Sequence, residues 1–235
     1  GTGTLGGTLT QTTFGGVASF GDLSVNTIGT GNTLATSLTV TPTGVTPPVT
    51  LTANSNPFDI TLITQTITFT PPPANVTYGV APIALTATSS ASLPVTFQVD
   101  SGPATISGSV LTITGGGTVV VEADAAASGN YAAAAPVTEM IVVAQAASSV
   151  ALTASASSAA PGTSITLTAT VTSATPGATA IPTGTVTFLT ANGPLGTGTL
   201  NGQGIATLAV TTLPVGSTAI EASYAGDSNY TGSGG

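Results

Sequence analysis

Eight carboxylates are the main acid–base groups this chain has: Asp22, Asp59, Asp100, Glu122, Asp124, Glu139, Glu221 and Asp227. Glu122 and Glu221 are the pair most open to a catalytic reading, because both lie in near-identical tripeptides, Val121-Glu122-Ala123 and Ile220-Glu221-Ala222. Two carboxyls acting as acid and base must converge to about 5–10 Å. These two occupy equivalent places in different repeats, and alternation sets each on the solvated face of its strand. Asp227, in the run AGDSNY, is the one calcium candidate. Calcium takes six to eight oxygen ligands, and one Asp with a neighbouring Ser and Asn supplies few of them. Serine and threonine are abundant, but no base is present to activate them.

The chain has no Lys, Arg, His or Cys in 235 residues. Most general bases disappear with them, as do thiolate nucleophiles, phosphate clamps and soft metal ligands. Of the residues, 3% are charged and all are acidic, so the net charge is −8. That charge repels DNA, RNA and anionic lipid. The sequence therefore predicts no enzyme, no cofactor, no catalytic residue and no nucleic-acid partner. Gly115-Gly116-Gly117 and Gly15-Gly16 read as turns, since a phosphate cradle needs a following helix and a Lys.

The elements that must carry these residues are strands. TSITLTATVT at Thr163 to Thr172, GTVTFLT at Gly184 to Thr190 and SVLTIT at Ser109 to Thr114 alternate apolar residues with Thr or Ser. This is the pattern of strands with one face buried and one wet. Thirty Gly and sixteen Pro punctuate these runs. No amphipathic helix is evident; Ala123 to Ala135 is alanine-rich but broken by Gly129. The stretch from Met140 to Ala160 lacks charge, yet its Ser, Thr and Gln residues argue against a membrane span of about 20 apolar residues. The opening GTGTLGG has no initiator Met, basic region or apolar core, as expected of a mature, processed or excerpted chain. Hydrophobic residues make up 41% and mean hydropathy is +0.50, which argues against disorder.

Internal repeats divide the chain. The Glu tripeptides recur at 221 − 122 = 99 residues, and Asn130-Tyr131 recurs as Asn229-Tyr230 at 229 − 130 = 99. Gly16-Val17-Ala18-Ser19-Phe20 echoes Gly204-Ile205-Ala206-Thr207-Leu208. The expected organisation is a partial unit over 1–62, carrying only a C-terminal half, a complete domain over 63–145, and a third over 146–235 that lacks its last strand. The two Asn-Tyr pairs read as structural plugs in turns, with Asn bonding its own turn and Tyr closing the end of a sandwich. Asn75-Val76-Thr77 and Asn229-Tyr230-Thr231 match the N-glycosylation sequon.

The third repeat, PTGTVTF at Pro182 to Phe188 followed by LGTGTLNGQGIATLAV, LPVGS and IEASYAGDSNY, resembles the bacterial Ig-like repeat domains. The second, with VTYGVAPIALTAT and LPVTFQVDSGPATISGSVLTITGGGTVVVEA, resembles a sister type. The resemblance implies an all-β chain of tandem Ig-like β-sandwiches, secreted or at the cell surface. It implies a structural segment of a fibrous or filament-forming protein. Assembly would use strand-edge contacts with copies of itself or with the continuing parent chain, completing the two deficient ends. The alternative is an adhesin stalk or carbohydrate-binding spacer, with glycan as a partner.

Overall fold

The computed structural model describes residues 4–41, 43 and 47–235. Within these the chain is all-β, and no helix is long and apolar enough to cross a membrane. Alternating sequence becomes alternating burial. In Ile165–Ser173, Leu167, Ala169 and Val171 are buried while the intervening threonines face outward. Val186 and Phe188 do the same in Thr185–Thr190, and Leu111 and Ile113 in Val110–Ile113.

The chain forms two compact units, Gly1–Gln65 with Ala126–Ala134, and Thr66–Ala125 with Ala135–Gly235. Ala126–Ala134 was expected within the second domain and groups with the first unit instead. Local hydrogen bonds give the reason. Gln65 Nε2 donates to the carbonyls of Ala126 and Ala132, at 3.1 and 2.7 Å. Ile63 N donates to Asn130 O at 2.7 Å, and Ala132 N donates to Ile63 O at 2.9 Å.

The first unit contains two-stranded ribbons: Leu5–Gly6 with Ser24–Val25, Gly29–Asn32 with Phe58–Ile60, and Ala35–Val40 with Val49–Asn54. None of its described residues before Gln65 is fully buried. The Phe14–Val17 segment, which overlaps the Gly16–Phe20 echo, makes a tight turn. Phe14 and Val17 exchange two backbone hydrogen bonds, 2.8 and 3.1 Å, around Gly15 and Gly16, whose φ values are 59° and 82°. Two successive positive φ values define a hairpin turn that Gly-Gly adopts readily.

The second unit holds two sandwiches in sequence. In the second domain a four-stranded sheet, Thr96–Ser101, Gly117–Asp124, Val137–Ala144 and Asn75–Thr77, faces Ala104–Ser107, Val110–Ile113 and Ile83–Ala84, with Ile67–Thr70 and Thr86–Ser89 paired beside them. Asn75–Thr77 runs parallel to Val142–Ala144; the other strand pairs are antiparallel. In the third domain Ser148–Ala154, Ile165–Ser173 and Ile205–Val210 pack on Gly193–Thr199, Thr185–Thr190, Glu221–Gly226 and Thr231–Gly234.

The last of these strands corrects the expectation that the third domain lacks one. Thr231–Gly234 pairs antiparallel with Glu221–Gly226, and Gly235 exchanges hydrogen bonds of 3.0 and 2.8 Å with Ala222. Its sequence, Thr-Gly-Ser-Gly, has almost no strand propensity. Pairing with a well-formed neighbour supplies what propensity does not. Ser148 Oγ also donates to Thr231 O at 2.7 Å and lies 2.7 Å from Ser233 Oγ, tying the first strand of the domain to its last.

Candidate functional site

The densest polar network in the second unit lies where the two sandwiches meet. It is built on Asp227, Asn229 and Tyr230, which follow the Glu221–Gly226 strand. Asp227 Oδ1 accepts from the backbone N–H groups of Asn229 and Tyr230, at 2.8 and 2.9 Å, closing the turn on itself. Oδ2 accepts from Thr183 N at 2.8 Å and Thr183 Oγ1 at 2.9 Å, tying the turn to the segment that leads into the neighbouring Thr185–Thr190 strand. A carboxylate offers about four lone-pair sites, and four donors fill them. The calcium candidate is therefore a clamp whose oxygens are already engaged. Among the described residues no group of three or more metal-ligating side chains is found. Asp22 makes a similar exposed clasp, accepting from Thr8 N at 2.9 Å and Thr8 Oγ1 at 2.6 Å.

The turn then engages the second domain. Asn229 Oδ1 accepts from Gly116 N at 3.0 Å, and Gln145 Nε2 donates to Asp227 O. Ala146 N donates to Asn229 O at 2.8 Å. Tyr230 is fully buried; its hydroxyl donates to Ala180 O at 2.5 Å while Ala180 N donates to Tyr78 Oη at 3.1 Å. The two tyrosine rings meet edge to face, with centroids 5.9 Å apart and planes at 78°. That is the favoured arrangement for aromatic quadrupoles.

Backbones come together nearby because glycines permit it. A Cβ on Gly177 would lie 2.2 Å from Gly79 O, and one on Gly116 would lie 2.5 Å from Ser228 O. Gly115-Gly116-Gly117, read from sequence as a turn, is also the seat for the Ser228-Asn229 turn. The signal available was three glycines in a row, where a turn needs fewer.

Tyr224 completes the site from within the core. It is 2% exposed, and its hydroxyl has no hydrogen-bond partner among the described residues. The Asp227 carboxylate is close enough to act on it electrostatically, but its acceptor positions are filled. Burial first, and then the Asp227 charge, push the Tyr224 phenol up to about 12. Asp227 moves the other way. Partial burial would raise it, but hydrogen bonds from Thr183, Asn229 and Tyr230 outweigh burial and hold it below the ordinary aspartate value.

These shifts predict a stability plateau with two limbs. Asp227 is depressed on folding, so its contribution is present above the unfolded aspartate value near 3.9 and is lost as pH falls through the folded value. Tyr224 is raised, so its contribution is full below about pH 10 and is lost between about 10 and 12, at about 1.4 kcal/mol per pH unit. Thermal melts across pH check both limbs, and Tyr224→Phe should remove its part of the alkaline one.

The remaining sequence candidates lie apart from this network. Glu122 accepts from Gln98 Nε2 at 2.6 Å on the outward face of its strand, and Glu221 is exposed on the third domain. Asn75 is exposed on an edge strand, whereas the Asn229 side chain is engaged at the junction. Asn130 is exposed and Tyr131 is half-buried in the first unit, where Tyr131 and Ser128 exchange hydrogen bonds of 3.0 and 3.2 Å. The repeated dipeptide thus has two different settings.

Residues 152–235 match the family of bacterial Ig-like domains, group 3. The match covers the third domain from Leu152 onward, and the third domain is similar to that family. Solved structures similar to the chain include the Yersinia pseudotuberculosis adhesin InvE, 18% identical over 72% of this chain and 57% of that one, with a TM-score of 0.38. The D0-D1 domain of intimin is 20% identical over 71% of this chain and 94% of that one, with a TM-score of 0.27. The Escherichia coli adhesin FdeC is 19% identical over 68% of this chain and 57% of that one, with a TM-score of 0.28. The chain thus spans little more than half the length of the InvE and FdeC chains. No curated protein matches it in sequence. In the third domain, Asp227 to Tyr230 contact the preceding sandwich beside Gly177 and Ala180.

Proposed function

We propose that the chain is a stiff spacer in an extracellular bacterial surface protein, a stalk of Ig-like domains that holds other parts away from the cell. The junction is the observation that supports this. Two sandwiches joined without a linker are fastened by Asn229 to Gly116, Gln145 to Asp227, and the Tyr78–Tyr230–Ala180 relay. Flexible domain pairs have long linkers and few crossing contacts. The polar network here is spent on holding two domains together and presents no paired nucleophile and base.

Two measurements test the reading. An antibody raised against the third domain should label intact, unpermeabilised cells of the source bacterium. In solution, NMR relaxation should give one rotational correlation time for the second and third domains. Independent tumbling of the two, or labelling only after permeabilisation, would overturn the proposal.

A second reading, assembly of copies through strand edges, has one feature in its favour. The Ala35–Val40 and Val49–Asn54 ribbon pairs Leu38 with Leu51 and Val40 with Val49, and all four side chains are exposed. An isolated two-stranded hairpin is marginal in water, so a neighbour covering that face would stabilise it. Concentration-dependent growth in sedimentation, abolished by Leu38→Lys, would favour assembly over the spacer.

A further inference from the structure

Asn-Gly occurs twice in the chain, at Asn192-Gly193 and at Asn201-Gly202, both in the third domain. The main-chain nitrogen that follows an asparagine can attack that asparagine's own carboxamide, and glycine, with no Cβ, leaves the approach open. The two dipeptides are chemically equal. Their settings in the fold are not.

Asn201 is held. Its Oδ1 accepts from the backbone N–H groups of Gln203 and Ile205, at 2.9 and 3.0 Å. Its own N donates to Ile205 O at 2.9 Å, and its O accepts from Gly204 N at 3.0 Å. Turning its Cγ toward Gly202 N breaks both bonds to Oδ1.

Asn192 is free to turn. With Ala191 it forms the two-residue loop between Thr185–Thr190 and Gly193–Thr199. It is exposed, and its carboxamide makes no hydrogen bond among the described residues. The Thr190 hydroxyl grips the main chain on both sides of the Asn192-Gly193 bond instead, accepting from Asn192 N at 3.2 Å and donating to Gly193 O at 3.3 Å. Gly193 has a φ of +123°, and a Cβ there would meet nothing within 4 Å, so the space beside it is open. The rung next to the tip is weak. Leu189 faces Pro194, which has no N–H to donate, and the ladder shifts register between Phe188 and Leu189. The tip can open locally while the sandwich stays folded.

We propose that Asn192 is a self-modification site, where the folded chain converts an amide into a carboxylate without an enzyme, and that Asn201 is protected from the same reaction. Gly193 N attacks Asn192 Cγ and gives up its proton to solvent. The new N–Cγ bond closes a succinimide ring, and the amide nitrogen leaves as ammonia. Water then opens the ring. Addition at Cγ yields aspartate; addition at the Asn192 main-chain carbonyl yields isoaspartate, whose backbone runs through Cβ and Cγ. One water enters and one ammonia departs. Net charge goes from −8 to −8 − 1 = −9. The new carboxylate stands at the hairpin end where Leu189 pairs with Glu221, so two like charges then share that end. Isoaspartate also lengthens the main chain of a loop whose length fixes register, which weakens the pairing of Thr190 with Gly193. The reaction needs only water and time, and it is independent of the spacer reading.

The 235-residue chain is incubated at neutral pH, folded in buffer and, in parallel, unfolded in guanidinium chloride. Cleavage after Glu139 and Glu221 releases Met140–Glu221, which carries both asparagines. Fragmentation mass spectrometry then reads aspartate and isoaspartate at each position. In the folded chain Asn192 is expected to convert at least about tenfold faster than Asn201, the order of the barrier that two backbone hydrogen bonds to Oδ1 add. In the unfolded chain the two rates should come together. Asn192→Gln should remove the acidic species that isoelectric focusing of the aged, folded protein resolves from the parent. Persistence of that species in the variant, equal folded-state rates at the two positions, or a folded chain in which Asn192 stays an amide while the unfolded chain converts, would overturn the proposal.

Discussion

Replacing Tyr230 by alanine is expected to destabilise the second unit by about 3–5 kcal/mol, the usual cost of emptying a fully buried aromatic site. The side chain is 0% exposed, packs edge to face on Tyr78 and donates to Ala180 O. Its loss opens a cavity and leaves that carbonyl without its donor. Tyr230→Phe keeps the ring and removes only the hydroxyl, so it should cost about 1 kcal/mol. Tyr131→Ala, at the half-buried counterpart, should cost much less than Tyr230→Ala. Urea unfolding of the three variants ranks them. Equal losses at Tyr230 and Tyr131 would show that the turn alone, and not the junction, uses the ring. Because the ring also joins two domains, Tyr230→Ala should split one cooperative transition into two.

Asp227→Ala is expected to cost about 2–4 kcal/mol, since it strands three N–H donors at once, two of them partly buried. The backbone groups of Thr183, Asn229 and Tyr230 all lose their acceptor, and so does the Thr183 hydroxyl. Asp227→Asn separates charge from shape. It retains an acceptor for two of these donors, turns an amide toward the others, and cannot titrate. Its destabilisation at neutral pH should therefore be accompanied by a weakened acid limb. An Asp227→Ala protein as stable as the parent at pH 7 would remove the clamp from the account. Added calcium should leave the parent's melting temperature unchanged, because the carboxylate has no free lone pair to offer.

Fold class was legible in the sequence because a half-buried strand writes its environment into every second residue. Leu167, Ala169 and Val171 could be assigned to the core before any coordinates, and so could the outward placement of Glu122 and Glu221. The repeat at 99 residues located equivalent turns but not their partners. Asn130-Tyr131 and Asn229-Tyr230 share a local conformational preference, yet only the second pair meets a neighbouring domain. A dipeptide records its own turn and says little about what packs on it. Asp227 suggested an open oxygen ligand because its donors, Thr183 among them, lie far away in sequence or are main-chain N–H groups invisible to side-chain reasoning. The final strand was missed for a related reason. Thr231-Gly232-Ser233-Gly234 has no apolar alternation, and backbone pairing with Glu221–Gly226 defines it instead. The Gly16–Phe20 echo is one of sequence alone, since Gly15 and Gly16 make a turn where its counterpart runs into the Ile205–Val210 strand.

The parallel pairing at the sheet edges bears on how the protein responds to pulling. In the second domain Asn75–Thr77 lies beside Val142–Ala144 and runs the same way. In the third, Ala146 and Tyr230 form a parallel bridge, and Ser148 is bonded to Thr231 and Ser233. In the second domain the strand that follows the entering Ile67–Thr70 segment, and in the third the entering segment itself, lies beside the strand by which the chain leaves and points the same way. Tension applied along the chain draws these strands past each other lengthwise. All the hydrogen bonds between them must then stretch together, instead of opening one at a time as at the end of a hairpin. Each sandwich is thus closed by a clasp that opposes shear, so flow or traction along the chain is resisted where the polypeptide enters and leaves the fold.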